Sequence, residues 1–312
     1  MISPKPTIIP QKPERPARTP KRMTIAIGML CDEGLIIAAD TQITNPDGTT
    51  YDKVKIKTRR AASGTFVMAW TAMDMYPAEM LIENILAGLN LSDPKTLGEV
   101  EDIVKSEMLS WSAGFAANQE RPYTAFILGA QVQGISINPD RMGMYFCEPP
   151  AIMLRQTMEN SKGYIAIGAG LVVTDPLFRT LFGNLVPARV CLAQISYLMH
   201  RAKKDCRGAC GGGTDAVLLR TSNLEPAWIE GMMSAEQKYG AALDATLSRL
   251  TAKIMSRNGF DDKSRFADFL DRKSARGTFG LYGFTFHTRS GEPIREPDFQ
   301  RMMDDPEKYL EP

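Results

Sequence analysis

Residues 23–44 read MTIAIGMLCDEGLIIAADTQIT. Thr24 to Leu30 and Leu35 to Ala39 are rich in branched and small apolar side chains, and Cys31-Asp32-Glu33-Gly34 lies between them. Two such runs about a polar, glycine-ended turn predict a β-hairpin. LIIAA lacks the apolar–polar alternation of a half-exposed strand, so the second strand should be buried on both faces.

Outward from this hairpin the periodicity changes twice. Lys53 to Lys57 leads into Thr65 to Thr71 (TFVMAWT), a second pair of strands. Met80, Leu81, Ile85, Leu86 and Leu89 then form one helical stripe. Leu97, Val100, Ile103, Val104 and Met108 form another, beginning after Asp93-Pro94. Strands return at Ala125 to Val132, at Arg141 to Cys147 after the polar turn Asn138-Pro139-Asp140, and at Tyr164 to Gly168. Two helical segments follow near Pro176 to Phe182 and Ala188 to Lys204, and Gly211-Gly212-Gly213 leads into the strand Ala216 to Arg220. Strands, two helices, strands, two helices, strands: two sheets between helix pairs would bury all of those apolar faces.

The flanks differ in character. Residues 1–22 carry six prolines among six Lys or Arg residues, a composition that blocks helix and sheet and predicts a solvated arm. It is basic but has no apolar core, so it does not read as a signal peptide. From Ser234 onward, Leu243, Leu247, Leu250 and Ile254 recur at alternating spacings of four and three, a seam for helix packing. Phe279, Tyr282, Phe284 and Phe286 cluster in the tail. The expected organisation is an arm at 1–22, a domain at 23–233 and a partly helical extension at 234–312.

Composition excludes several classes. At 312 residues, 44% hydrophobic and 23% charged, the chain can bury a large core. A net charge of +1 speaks against a nucleic-acid partner, which needs a concentrated positive face. No apolar run approaches the ~20 residues of a membrane span. Five cysteines, odd in number and irregularly spaced, read as reduced thiols of a cytoplasmic protein. Cys206 and Cys210 with His200 match no common zinc spacing, and packed thiols are the simpler reading; no metal or cofactor is expected. Gly211-Gly212-Gly213 lacks the lysine and hydroxyl residue of a P-loop.

The ordered set of motifs resembles proteasome subunits and the related bacterial ring peptidase: the opening hairpin, DKVKI at 52–56, MAWTAMD at 68–74, YIAIGAG at 164–170 and CGGGTDAVLLR at 210–220. The resemblance spans roughly Met23 to Leu224, about two thirds of the chain. It implies an α+β fold, the four-layer α/β/β/α sandwich of the N-terminal-nucleophile (Ntn) hydrolases. It also implies a homo-oligomeric ring of like subunits in the cytoplasm, a peptide or unfolded-protein substrate, and an ATPase or other regulator as partner. Carried across, Thr24 falls on the nucleophile, Asp40 on the acid that organises the site, Lys53 on the lysine whose charge lowers the threonine's proton affinity, and Asp205 on a second aspartate. The threonine's own α-amine would be the general base, so such a peptidase needs no histidine.

The family pattern is broken at four places. Met23 rather than glycine precedes Thr24, Ala169 and Cys210 stand where the family has serines, and Trp70 replaces a glycine at the oxyanion hole, where its indole is expected to crowd a substrate. The alternative expectation is a catalytically inactive scaffold subunit of the same fold.

Overall fold

The expected hairpin forms, with a tighter turn that leaves only Asp32 and Glu33 outside the strands. β1 (Ile25–Cys31) and β2 (Gly34–Asp40) pair antiparallel from Ala26 opposite Ala39 to Cys31 opposite Gly34, and every residue of both strands is buried. The structure, a computed structural model, describes residues 24–44, 49–115, 119, 121–133, 141–156, 163–181 and 186–245. The N-terminal arm, the turn at Asn138–Asp140, the aromatic cluster and all of the leucine seam except Leu243 lie outside the described residues.

The chain continues through β3 (Gln42–Thr44), β4 (Thr50–Asp52), β5 (Ile56–Arg60), β6 (Gly64–Ala72), α1 (Met75–Ser92), α2 (Leu97–Ala113), β7 (Thr124–Val132), β8 (Met142–Glu148), β9 (Ile152–Gln156) and β10 (Tyr164–Gly168). It ends in α3 (Leu171–Leu181), α4 (Ala188–Asp205), β11 (Thr214–Arg220), β12 (Ala227–Trp228), α5 (Met232–Ala235) and a π-helical turn at Glu236–Gly240. One antiparallel sheet has the order β10-β1-β2-β11-β12 and the other β5-β6-β7-β8-β9, with β3 and β4 a separate ribbon. The class is therefore α+β with antiparallel sheets, as expected. The short strands β3, β9 and β12 carry no periodic signal. α3 starts immediately after Gly170, five residues before the expected start at Pro176, and it accommodates that proline within its length.

Strand alternation sorts the apolar side chains into three cores. Ala26, Leu35 and Ile37 of one sheet meet Val67, Ala69, Ile127 and Met144 of the other. A Cβ added at Gly28 would strike Met144, and one at Gly129 would strike Leu35, so these glycines let the sheets approach. On the outer face of the first sheet, Ile25, Ile27, Ile36 and Ala38 pack against Ile195, Leu198 and Met199 of α4. On the outer face of the second, Phe66, Met68 and Trp70 pack against Leu81, Ile85 and Val104 of α1 and α2. Each fully buried branched side chain contributes about 1.5–3 kcal/mol.

Asp93 ties α1 to the second sheet. It closes the helix in the left-handed region (φ 46°), and its carboxylate accepts from the Ser63 amide at 2.7 Å and the Ser63 hydroxyl at 2.6 Å. Hydrogen bonds from Lys95 and then Ser63 hold its pKa down to about 2, against 3.8 ordinarily. A depressed carboxylate stabilises the fold above its unfolded pKa and loses that contribution as pH falls through the folded one. Asp93→Asn should therefore lower Tm at pH 7, and the gap to the parent should close between about pH 4 and about pH 2 in thermal melts.

Candidate functional site

Thr24 leads directly into β1 and is 7% exposed. Its carbonyl accepts from the Ala169 amide at 2.8 Å. That contact requires a glycine one residue earlier, because Gly168 has φ 92° and any Cβ there would run into the Thr24 carbonyl. The expected neighbourhood of Ala169 and Thr24 is thus formed by backbone pairing at the end of β10.

The Thr24 hydroxyl accepts a hydrogen bond from Lys55, not from Lys53. The Lys55 ammonium also donates to Asp40 Oδ1 at 2.7 Å and to the Gln42 carbonyl at 2.6 Å. An ammonium has three N–H donors, and all three are taken. The Lys55 and Asp40 side chains are both fully buried. Asp40 is further held by the Ile25 amide on Oδ1 (3.2 Å) and the Gly211 amide on Oδ2 (2.9 Å). Burial pushes the Asp40 carboxyl above its ordinary range, with the Lys55 charge opposing. Burial likewise pushes the Lys55 ammonium below its range, with Asp40 opposing.

The glycine turn before β11 closes round this group. Gly212 has φ 66°, and a Cβ there would strike Asp52 and Thr41. The Gly213 amide donates to the Thr41 hydroxyl at 2.8 Å, and the Thr41 hydroxyl donates to Asp52 at 2.7 Å. Cys210, 3% exposed, feels the charges of both Asp40 and Lys55, and burial raises its thiol well above the ordinary range. Asp215, on β11, also lies in the field of Lys55.

Two expected site residues are corrected. Lys53 points outward, 40% exposed, and pairs with Glu79. Val54 beside it is 53% exposed, whereas Lys55 turns inward next to buried Ile56. Both lysines fall in the short DKVKI motif, and only the inward turn of the chain decides which of them reaches Asp40. No side chain in the motif signals that choice, since Val54 flanks both lysines and is itself exposed. Asp205 sits at the C-terminal end of α4, where Arg201 one turn earlier binds it at 2.8 Å. It does not line the cavity at Thr24. Gln42, whose carbonyl completes the Lys55 shell, has no side-chain signature and was not anticipated.

The cavity beside Thr24 measures about 40 Å³, and Ile43, Thr44, Ala72, Met73, Met75 and Ala209 are among its walls. Trp70 is not among them. Its fully buried ring packs in the core under α1 and α2, with the Lys57 ammonium 5.6 Å from the ring centroid. The expected crowding of a substrate by this indole is therefore overturned, because strand alternation turns residue 70 to the helix side. Among the described residues, no three His, Cys, Asp or Glu side chains come together as a metal site would require. Among them, too, no helix is long and apolar enough to cross a membrane.

An α+β fold with a lysine–aspartate pair buried against a threonine at the head of the first strand defines the structural class. No family model matches the chain, and no curated protein matches it. Solved structures do. Anbu from Hyphomicrobium sp. strain MC1 is similar at 15% identity with a TM-score of 0.61, covering 74% of this chain and 97% of that one. Anbu (ancestral beta-subunit) from Yersinia bercovieri is similar at 13% identity and a TM-score of 0.59, covering 72% and 96%. The Anbu complex from Pseudomonas aeruginosa, described as a helical assembly, gives 16% and 0.54, again covering 72% and 96%. Likeness at this identity shows a shared fold alone. The proteasome-family membership implied by the motifs is corrected accordingly: what the chain shares with these proteins is the Anbu fold.

Proposed function

We propose that this chain is a proteasome-like, ring-forming subunit whose Thr24 becomes the nucleophile of peptide-bond hydrolysis once residues 1–23 are removed. Its layered sheets and helices would then be the sandwich of the Ntn hydrolases. The observation that carries the reading is the Lys55 ammonium held between the Thr24 hydroxyl, Asp40 and the Gln42 carbonyl in a buried site. A hydroxyl has a proton affinity far too high for attack at neutral pH, and a fixed positive charge with no solvent to screen it favours the alkoxide. Asp40 and the Gln42 carbonyl orient that charge. The self-assembly of like subunits is proposed from the fold shared with Anbu, one structure of which is described as a helical assembly.

In the proposed reaction the Thr24 oxygen attacks the substrate carbonyl carbon. Its proton passes to the free α-amine, ordinarily of pKa ~8, directly or through water. The tetrahedral intermediate collapses, the leaving amine takes up a proton, and the acyl group remains on Thr24 as an ester. Water, deprotonated by the same amine, then hydrolyses the ester. In the full-length chain the Thr24 nitrogen is an amide and cannot serve as base, so the uncut chain should be inert.

The test is a chain expressed from Met23 and trimmed to Thr24. It should sediment well above the 34.5 kDa of one full chain, cleave small peptide amides, and be labelled on Thr24 by a threonine-directed electrophile, with all chemistry lost in Thr24→Ala. An assembled, correctly trimmed protein with neither turnover nor label would establish the inactive scaffold reading instead.

A further inference from the structure

Two pairs of thiols come into contact among the described residues. Cys31 and Cys191 are hydrogen-bonded to each other with no exposed surface at either residue. Cys206 and Cys210 form the second pair, and it differs in two respects. Cys206 is only half-buried, and the pair sits on the turn that builds the Thr24 site.

Cys206 closes α4, and the amides of both Ala209 and Cys210 donate to its carbonyl at 3.0 Å. This folds the segment into a single tight turn. A disulfide needs Cβ atoms roughly 3.5–4.5 Å apart, and Cys206 and Cys210 stand at the two ends of this one turn. The turn holds the two thiols close enough to act on each other, and its closure would bring them into bonding range. On one side the Cys206 sulfur lies 3.7 Å from the Ala169 carbonyl. On the other, Ala209 lines the Thr24 cavity and the Gly211 amide holds Asp40.

We propose that Cys206 and Cys210 are a site of reversible oxidation, closing to an intrachain disulfide when the protein meets a peroxide. Cys206, the reachable thiol, attacks one peroxide oxygen as thiolate. The O–O bond breaks, hydroxide leaves, and Cys206 becomes a sulfenic acid. The Cys210 sulfur then attacks the Cys206 sulfur, the S–O bond breaks, and the departing hydroxide takes the Cys210 proton as water. Two thiols are oxidised and one peroxide is reduced to two waters. The buried Cys31–Cys191 pair stays reduced because no oxidant reaches it.

Closure shortens the turn that carries Ala209 and Gly211, so the oxidation state is transmitted to the wall of the Thr24 cavity and to Asp40. The effect on turnover rests on the proposed function. The disulfide itself does not. Burial, then the Asp205 charge, raise the Cys206 thiol above its ordinary range. Closure is therefore slow at neutral pH and should accelerate about tenfold per pH unit below that pKa.

The experiment treats the full chain with hydrogen peroxide, removes the peroxide, denatures and alkylates the protein, and maps it by mass spectrometry. Alkylated cysteines should fall from five to three, with Cys206 and Cys210 linked, and dithiothreitol should restore all five. Cys206→Ser should abolish the link and Cys31→Ser should leave it intact. A link between Cys31 and Cys191, five alkylated thiols after treatment, or oxidation ending as sulfinic acid on Cys206 would each overturn the proposal. None of these readings depends on hydrolytic activity.

Discussion

In a chain trimmed to begin at Thr24, Lys55→Met lowers kcat/KM for a peptide amide by about 10²–10³-fold, the scale of removing one preorganised charge from a dry site. Lys53→Ala leaves it within about twofold, because an exposed pair such as Lys53–Glu79 contributes little. The contrast follows from burial. The Lys55 ammonium is walled off from water with Asp40, so its charge acts on the Thr24 oxygen almost unscreened. Methionine keeps the length and apolar stem of lysine, and Asp40 then takes up a proton rather than remaining an unpaired buried charge. The pH profile adds a second check. Activity rises as the free α-amine loses its proton, near pH ~8 unperturbed, and falls when Lys55 loses its own. Burial lowers the Lys55 pKa, so the alkaline limb lies below the ordinary 10.5. Asp40→Asn removes the charge that opposes this lowering, so the limb should move to still lower pH while the maximum falls. An alkaline limb unmoved in Asp40→Asn, or equal losses in the two lysine variants, would remove Lys55 from the mechanism.

Trp70→Ala destabilises the fold by about 3–5 kcal/mol, the usual consequence of emptying a large aromatic site in a core, and it leaves the access of substrates to Thr24 unchanged. The ring is fully buried among Leu81, Ile85 and Val104, and α1 and α2 cannot close over the space without leaving their strands. Urea titration should show a lower midpoint with a similar slope. Met73→Ala is the complementary change. Met73 lines the cavity and is 38% exposed, so its loss should alter KM among substrates of different side-chain size with little effect on the urea midpoint. A rise in turnover from Trp70→Ala at full folding would mean that the indole does face the site.

The hairpin at 24–40, the helical stripes of α1 and α2, and the glycine-marked strands β10 and β11 were all legible along the chain. Each rests on local chemistry: branched apolar runs favour buried strands, stripes at helical spacing need a covering layer, and glycines stand where backbone meets backbone. Thr24 and Asp40 were singled out by the resemblance rather than by local chemistry, and the β1–β2 register is what brings these two ends of the hairpin together. The identity of the lysine was not legible. Lys53 and Lys55 have the same chemistry and lie in one short motif, and their difference is a turn of the chain after β4 that buries one and leaves the other in solvent. The role of Asp205 was misplaced because a helix end offers an arginine four residues back, a partner nearer than any site across the domain. The direction of Trp70 depended on which face of β6 meets helices and which meets the other sheet. An all-apolar strand such as GTFVMAWTA, buried on both faces, does not encode that choice in its pattern. Strand and helix formation are local and periodic and can be read from residue order. The convergence of Lys55, Asp40, the Gln42 carbonyl and Gly211 on Thr24 is set by distances through space, and the packing of the two sheets is what fixes them.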